Sequence, residues 1–277
     1  MKTKQILITL LLFTSTFLYA QTPKFQWVKG GGSGGSATNS GLMESCKWIN
    51  TDAHGNIYGM SSIFSPSIHI DTSYKPSSYG FDDFAVFSYR CDGSLRWVRY
   101  FGSTTNDTPK GMFTDSNGNT FVIGQVAVWN NGNSYFGDST VLATTAMAKS
   151  YFIAKIDSTG HTCWLSLPGP AFPTSLNTSY FLSIKPDNQG NLCVLTLYGS
   201  IVNLGAFTIP GKGYYVVKFD KSNGNVIGLT KLDYSGRHTS GINFEIDHDN
   251  SCFLFDGLGY PDTLFIGSNV LACENDS

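Results

Sequence analysis

Charge is scarce in this chain of 277 residues. Asp, Glu, Lys and Arg together make up 14% of it, against roughly 25% in an average soluble domain. The formal charge of -2 offers no basic field to nucleic acid or to an anionic membrane surface. Both partners are therefore excluded. Glutamate is scarcer still, with Glu44, Glu245 and Glu274 alone against seventeen Asp, which leaves few groups for an acid and base pair. HExxH, GxSxG and CxxC are all missing, which argues against a zinc hydrolase, a serine hydrolase with a nucleophile elbow, and a structural zinc site. No apolar run of membrane-spanning length follows residue 20, so no membrane insertion is expected of the mature chain.

Residues 1–20 read as a signal peptide. "MKTKQ" carries two positive charges, "ILITLLLFTSTFLYA" is apolar but short and broken by Thr and Ser, and Ala20 precedes the expected cut at Gln21. The mature chain, 21–277, is expected to be secreted or held at the outer cell surface. Six cysteines remain in it: Cys46, Cys91, Cys163, Cys193, Cys252 and Cys273. An oxidising compartment allows disulfides, and six cysteines permit 15 pairings that the sequence does not rank. Cys163 and Cys193 lie in apolar strand-like runs and read as small buried hydrophobes.

What the chain has in quantity is repetition. "DAHGNIYGM" at Asp52, "DSNGNTFVIG" at Asp115, "DNQGNLCVL" at Asp187 and "DHDNSCFLF" at Asp247 restate one phrase at intervals of 63, 72 and 60 residues. The Asp can accept hydrogen bonds from main-chain N–H groups just after it, and Gly55, Gly118 and Gly190 suit a positive φ. A β-branched or aromatic strand follows each turn. Between the copies, residues 82–102, 150–169 and 213–232 read as hairpins around Asp92, Asp157 and Asp220. A shorter strand falls at 67–71, 134–142, 201–209 and 262–271.

Each unit is thus expected to be a four-stranded antiparallel sheet, composed of the turn-led strand, the short strand and the hairpin pair. One such sheet cannot bury both faces alone, so successive sheets should stack radially. The expected fold is all-β, a β-propeller, with units at 45–102, 108–169, 180–232 and 240–277. Trp27 falls in step with Trp97 and Trp164, so 25–32 is expected to act as a closing strand. The last unit lacks a hairpin, which reads as an incomplete ring or open arc of about four blades whose free sheet edges invite self-association. "DDFAVFSYRCDGSLRW", "YFIAKIDSTGHTCW" and the Asp-x-x-Gly-Asn turns resemble the β-propeller repeat (SBBP type) of secreted bacterial proteins, over about 25–277. That resemblance implies a surface protein exported by the type IX route in Bacteroidetes. Two departures stand out: Gly228 or a neighbour replaces the third Trp, and Asn250 and Ser251 stand where Gly and Asn stand elsewhere.

Candidate sites are few. Asp82 and Asp83 are adjacent, hence on opposite faces of a strand, and a structural or solvated role is expected. Asp247, Asp249 and Ser251 alternate like the start of a calcium loop, yet no Gly follows at the sixth place and Leu258 stands where a bidentate Glu would close it. Calcium is thus the single cofactor to weigh, against a plain turn with Asp249 in water. Trp129, with Asn130 and Asn131, could stack on a sugar and bond its hydroxyls; Tyr74, Tyr79 and Tyr260 lie in similar contexts. No catalytic residue is assigned. The favoured function is an interaction or adhesion module with a protein or glycan partner at the cell surface. The alternatives are a carbohydrate-binding or glycan-cleaving propeller and a structural passenger of a longer surface protein.

Overall fold

The computed structural model describes residues 26–33, 45–64, 67–75, 79–128, 132–142, 148–169, 172–173, 180–232, 242–255, 263–266 and 269–272. They hold strands and turns and no helix, so among them no helix is long and apolar enough to cross a membrane. The chain enters through β1 (Gly31–Ser33). A first unit follows: β2 (Ser45–Thr51), β3 (Ile57–Ile63), β4 (Ile68–Ile70), β5 (Ser73–Lys75), β6 (Asp83–Tyr89) and β7 (Leu95–Gly102). The second holds β8 (Thr108–Thr114), β9 (Thr120–Val128), β10 (Asn133–Phe136), β11 (Ser139–Leu142), β12 (Ala148–Ile156), β13 (Thr162–Ser166) and the short β14 (Phe172–Pro173). The third comprises β15 (Tyr180–Pro186), β16 (Leu192–Tyr198), β17 (Val202–Leu204), β18 (Phe207–Ile209), β19 (Gly213–Phe219) and β20 (Val226–Leu232). Of the fourth, β21 (Asn243–Ile246), β22 (Cys252–Phe255), β23 (Thr263–Ile266) and β24 (Asn269–Ala272) are described.

The four-stranded sheets run β2-β3-β6-β7, β8-β9-β12-β13 and β15-β16-β19-β20, antiparallel throughout. Their strand composition differs from the expectation. The Asp turn joins two members of the sheet, because a strand with weak apolar patterning (SCKWINT in the first unit) precedes it. The short element is a hairpin of its own that leaves its sheet. β10 pairs with β7 of the preceding sheet, through Tyr135 with Gly102 and Phe136 with Phe101, and β4 pairs in the same way with β1. Both hairpins reverse at a residue with positive φ, Asp71 in the first and Gly137 in the second; Gly205 repeats this between β17 and β18.

Alternation along the strands gives each sheet two apolar faces, and successive units bury facing pairs of them at three junctions. Tyr58, Met60, Phe84 and Val86 of the first sheet pack with Val122, Phe152, Ala154 and Ile156 of the second. The second sheet's other face, Phe121, Ile123, Tyr151 and Ile153, meets Leu192, Val194, Val217 and Phe219 of the third. Cys193, Leu195 and Tyr214 then meet Ile242 and Phe244 of the fourth unit. Each buried side chain of this size contributes about 1.5–3 kcal/mol, so the junctions dominate stability. A register shift recurs in β2, β8 and β15 five residues before the Asp, at Lys47, Lys110 and Leu182. Such bulges raise local twist.

Candidate functional site

The repeated Asp residues cap their own turns. Asp52 Oδ1 accepts the N–H groups of His54 and Asn56, each at 2.9 Å. Asp115 does the same for Asn117 and Asn119, Asp187 for Gln189 and Asn191, and Asp247 for Asp249 and Ser251. Gly55, Gly118 and Gly190 carry the expected positive φ. Although burial works the other way, the Asn56 side chain and main chain and the Tyr58 hydroxyl hold the Asp52 carboxyl below its usual range. Asp157 follows the same pattern in the second hairpin. Asp92 does not stand in step with it: Arg90 N–H bonds Ser94 O as Asp157 N–H bonds His161 O, so Arg90 occupies the equivalent place. Asp92 caps only the Ser94 N–H.

The departure at the fourth turn has a physical reason. Asn250 takes φ 63° where glycine stands in the other copies, a region that Asn tolerates better than most residues. Its side chain then reaches the third unit. Asn250 Nδ2 donates to Asn188 Oδ1, and Asn250 Oδ1 accepts the Asn188 N–H, both at 2.9 Å. Glycine could make neither contact.

Between the first two sheets the side chains form a staple. Trp97 Nε1 donates to Ser158 O at 3.1 Å, Arg96 Nη2 donates to the same oxygen at 2.7 Å, and Arg99 Nε donates to Gly160 O at 2.5 Å. Trp27 Nε1 to Cys91 O and Trp164 Nε1 to Lys221 O repeat the indole contact at 2.9 and 3.2 Å. Gly228 pairs with Lys218 as Trp97 pairs with Ser88 and Trp164 with Lys155, so Gly228 is the residue that replaces the indole.

The same junction holds a strongly perturbed carboxylate. Asp107 is buried; its Oδ2 accepts the Ser103 N–H at 2.5 Å and its Oδ1 accepts the Ala127 N–H at 2.8 Å. The Ser103 hydroxyl contacts both Asp107 Oδ1 and Ala127 O. It has one proton for two acceptors, so a proton on Asp107 completes the relay from Asp107 through Ser103 to Ala127 O. Burial pushes the Asp107 pKa up to about 8 against the pull of the Ser103 and Ala127 donors, with the Asp83 charge adding to the rise. Asp83 is also fully buried, and its Oδ2 accepts the Tyr79 N–H at 2.6 Å. Asp82 O accepts the Asp107 N–H. Sealed from solvent, the two carboxylates brace main chain and cannot reach a substrate.

Trp129, Asn130, Asn131 and Tyr260 lie outside the described residues, as does the side chain of Tyr74. Tyr79, half-buried, stacks on Tyr135 with ring centroids 3.9 Å apart. Asp247, His248 and Asp249 place potential ligand atoms within 4.8 Å of one another, with Asp249 exposed and Asp247 bonded to its turn. Ser251 enters through its main-chain N–H. Cys193 is buried as expected, but Cys163 is exposed. It lies near the β12 end of the outer strand β13, where Cβ vectors alternate and one face meets water. An apolar recess of about 510 Å³ lies beside the first sheet, lined by Trp27, Ile49, Ile57, Ile70, Phe87 and Tyr89 among others.

Residues 96–125 match the family model of the β-propeller repeat, SBBP. The fold is a β-propeller of four-stranded antiparallel blades. The matched segment begins at Arg96, crosses β8 and ends within β9, so the unit of sequence straddles two blades. It carries the staple on one side of the junction and the Asp turn on the other. Among curated proteins the chain finds no match. Sequence reasoning missed Arg96, Arg99, Ser103 and Asp107. The first two flank a Trp whose spacing was visible, whereas nothing local separates Asp107 from a solvated Asp.

Proposed function

We propose that the chain is an exported β-propeller whose blades serve as a scaffold for contact with a partner at the outer cell surface. What carries this reading is the use made of the carboxylates. Asp52, Asp115, Asp157, Asp187 and Asp247 accept bonds from their own turns, and Asp107 braces the first blade junction. Chemistry repeated in every blade therefore maintains the fold, which leaves surface shape as the means of recognition. The apolar recess supplies such a surface, with Ile49 at its rim 66% exposed. An exposed apolar side chain beside an apolar recess favours a protein partner.

The test uses the chain from Gln21 onward, coated on beads and scored for attachment to cells. Ile49→Asp should reduce attachment at least tenfold, while Ile227→Asp, on the third blade and also exposed, should leave it intact. Equal attachment by both variants would reject the recess as the contact. For export, the protein collected from the medium should begin at Gln21.

A further inference from the structure

We propose that Cys193 and Cys252 are joined by a disulfide that fastens the third blade to the fourth unit. The inference rests on the reading of the chain as exported, since that supplies an oxidising environment. Cys193 is the sixth residue after Asp187 and Cys252 the fifth after Asp247. At the preceding junction the same two places hold Phe121 and Leu192, which share one buried cluster between the second and third blades. Phe121 faces forward from one blade and Leu192 backward from the next. By that equivalence the two thiols face each other across the next junction, and they line one recess of about 260 Å³. Two small residues thus stand where the preceding junction has a phenyl ring and an isobutyl group. A void between packed sheets forfeits dispersion contacts, and a covalent bond drawing the sheets together would close it. The Cys252 thiol lies near enough to act electrostatically on Cys193.

Accessibility sets the order of steps. Both cysteines are free thiols in the structure, Cys252 exposed and Cys193 buried. The Cys252 thiolate attacks a small disulfide RSSR, forming a mixed disulfide and releasing RS⁻. Cys193 then gives up its proton to RS⁻ and attacks the Cys252 sulfur, expelling the second RS⁻. Two protein thiols are oxidised and one RSSR is reduced to two RSH. Burial pushes the Cys193 pKa up to about 11, and while Asp187 raises it further, Lys218 opposes the rise.

The full mature chain, refolded with oxidised glutathione, should yield on non-reducing digestion a linked pair of peptides containing Cys193 and Cys252. Reduction should lower its melting temperature by on the order of 5 °C or more. Cys252→Ser should remove that sensitivity, and Cys163→Ser should leave the linked pair in place. Recovery of both residues as free alkylated thiols, or of either linked to another cysteine, would overturn the proposal. Protein collected from the medium with both thiols free would do so while leaving the export reading intact.

Discussion

The indole of Trp97 lies against Gly160 of the next blade, where an added Cβ would stand 2.7 Å from the ring's Cγ. The glycine also carries φ 88°. Gly93 under Trp27 and Gly224 under Trp164 repeat the arrangement, with closest approaches of 2.8 and 2.7 Å. Each of these three indoles thus rests on a turn that only glycine can form beneath it. Gly160→Ala should destabilise the protein by about 1–3 kcal/mol through backbone strain and the displaced ring. Trp97→Phe should cost about 1 kcal/mol for the lost bond to Ser158, and Trp97→Ala about 3–5 kcal/mol for the emptied site. Urea unfolding of the three variants checks the order. A Phe variant as damaged as the Ala variant would show that the bond, and not the ring, holds the junction.

At the fourth turn, backbone strain and inter-blade bonding act in opposition. Asn250→Gly relieves the left-handed conformation but removes both contacts to Asn188. Asn250→Ala removes the contacts and keeps the strain. The Ala variant should therefore lose about 1 kcal/mol more than the Gly variant. Hydrogen exchange of the Asn188 amide, which donates to Asn250 Oδ1, should quicken in both. Unchanged protection in the Gly variant would mean that the bond is not formed in solution.

Lysine at the β8 bulge makes a third case. Burial, with the charges of Lys149 and Lys47 nearby, lowers the Lys110 pKa. A cation held in that setting costs stability, while its aliphatic stem still packs. Lys110→Met should keep the packing and raise the melting temperature by a few degrees. A lower melting temperature would show that the ammonium group has a favourable partner.

The Asp turns, the apolar strands and the stacking of sheets were legible because each depends on residues close in sequence. Asp115, Gly118 and Asn119 specify their turn within five residues, and the alternation of Phe121 and Ile123 against Val122 shows two buried faces. What was not legible depends on partners far along the chain. The strand before each Asp, SCKWINT for instance, has no clean alternation because a bulge at Lys47 interrupts it. The hairpin β10–β11 reads as a strand of its own blade until its pairing with Phe101 and Gly102 is seen. Asp107 is a surface residue by composition and a buried brace by virtue of Ser103 and Ala127, one four residues before it and the other twenty after.

That brace should set the pH dependence of the fold. With the Asp107 pKa raised to about 8 and an unfolded value of about 3.9, the folded state holds a proton that the unfolded state lacks between those limits. Its contribution is fully present below about pH 4 and is lost as pH rises through about 8, by a few kcal/mol. Asp52 acts in the opposite sense: its lowered pKa adds stability above the unfolded value that is lost as pH falls through the folded one. From pH 5 upward Asp52 is ionised in both states, so it does not offset the slope that Asp107 gives. Asp107→Asn keeps a neutral side chain of the same shape but must turn an amide N–H toward Ser103 N–H or Ala127 N–H, so it should be less stable than the parent at pH 5. Its melting temperature should then fall less from pH 5 to 8 than that of the parent, narrowing the gap between them. Parallel curves over that range would show that Asp107 is ionised in the folded protein and that the Ser103 hydroxyl makes only one of its two contacts.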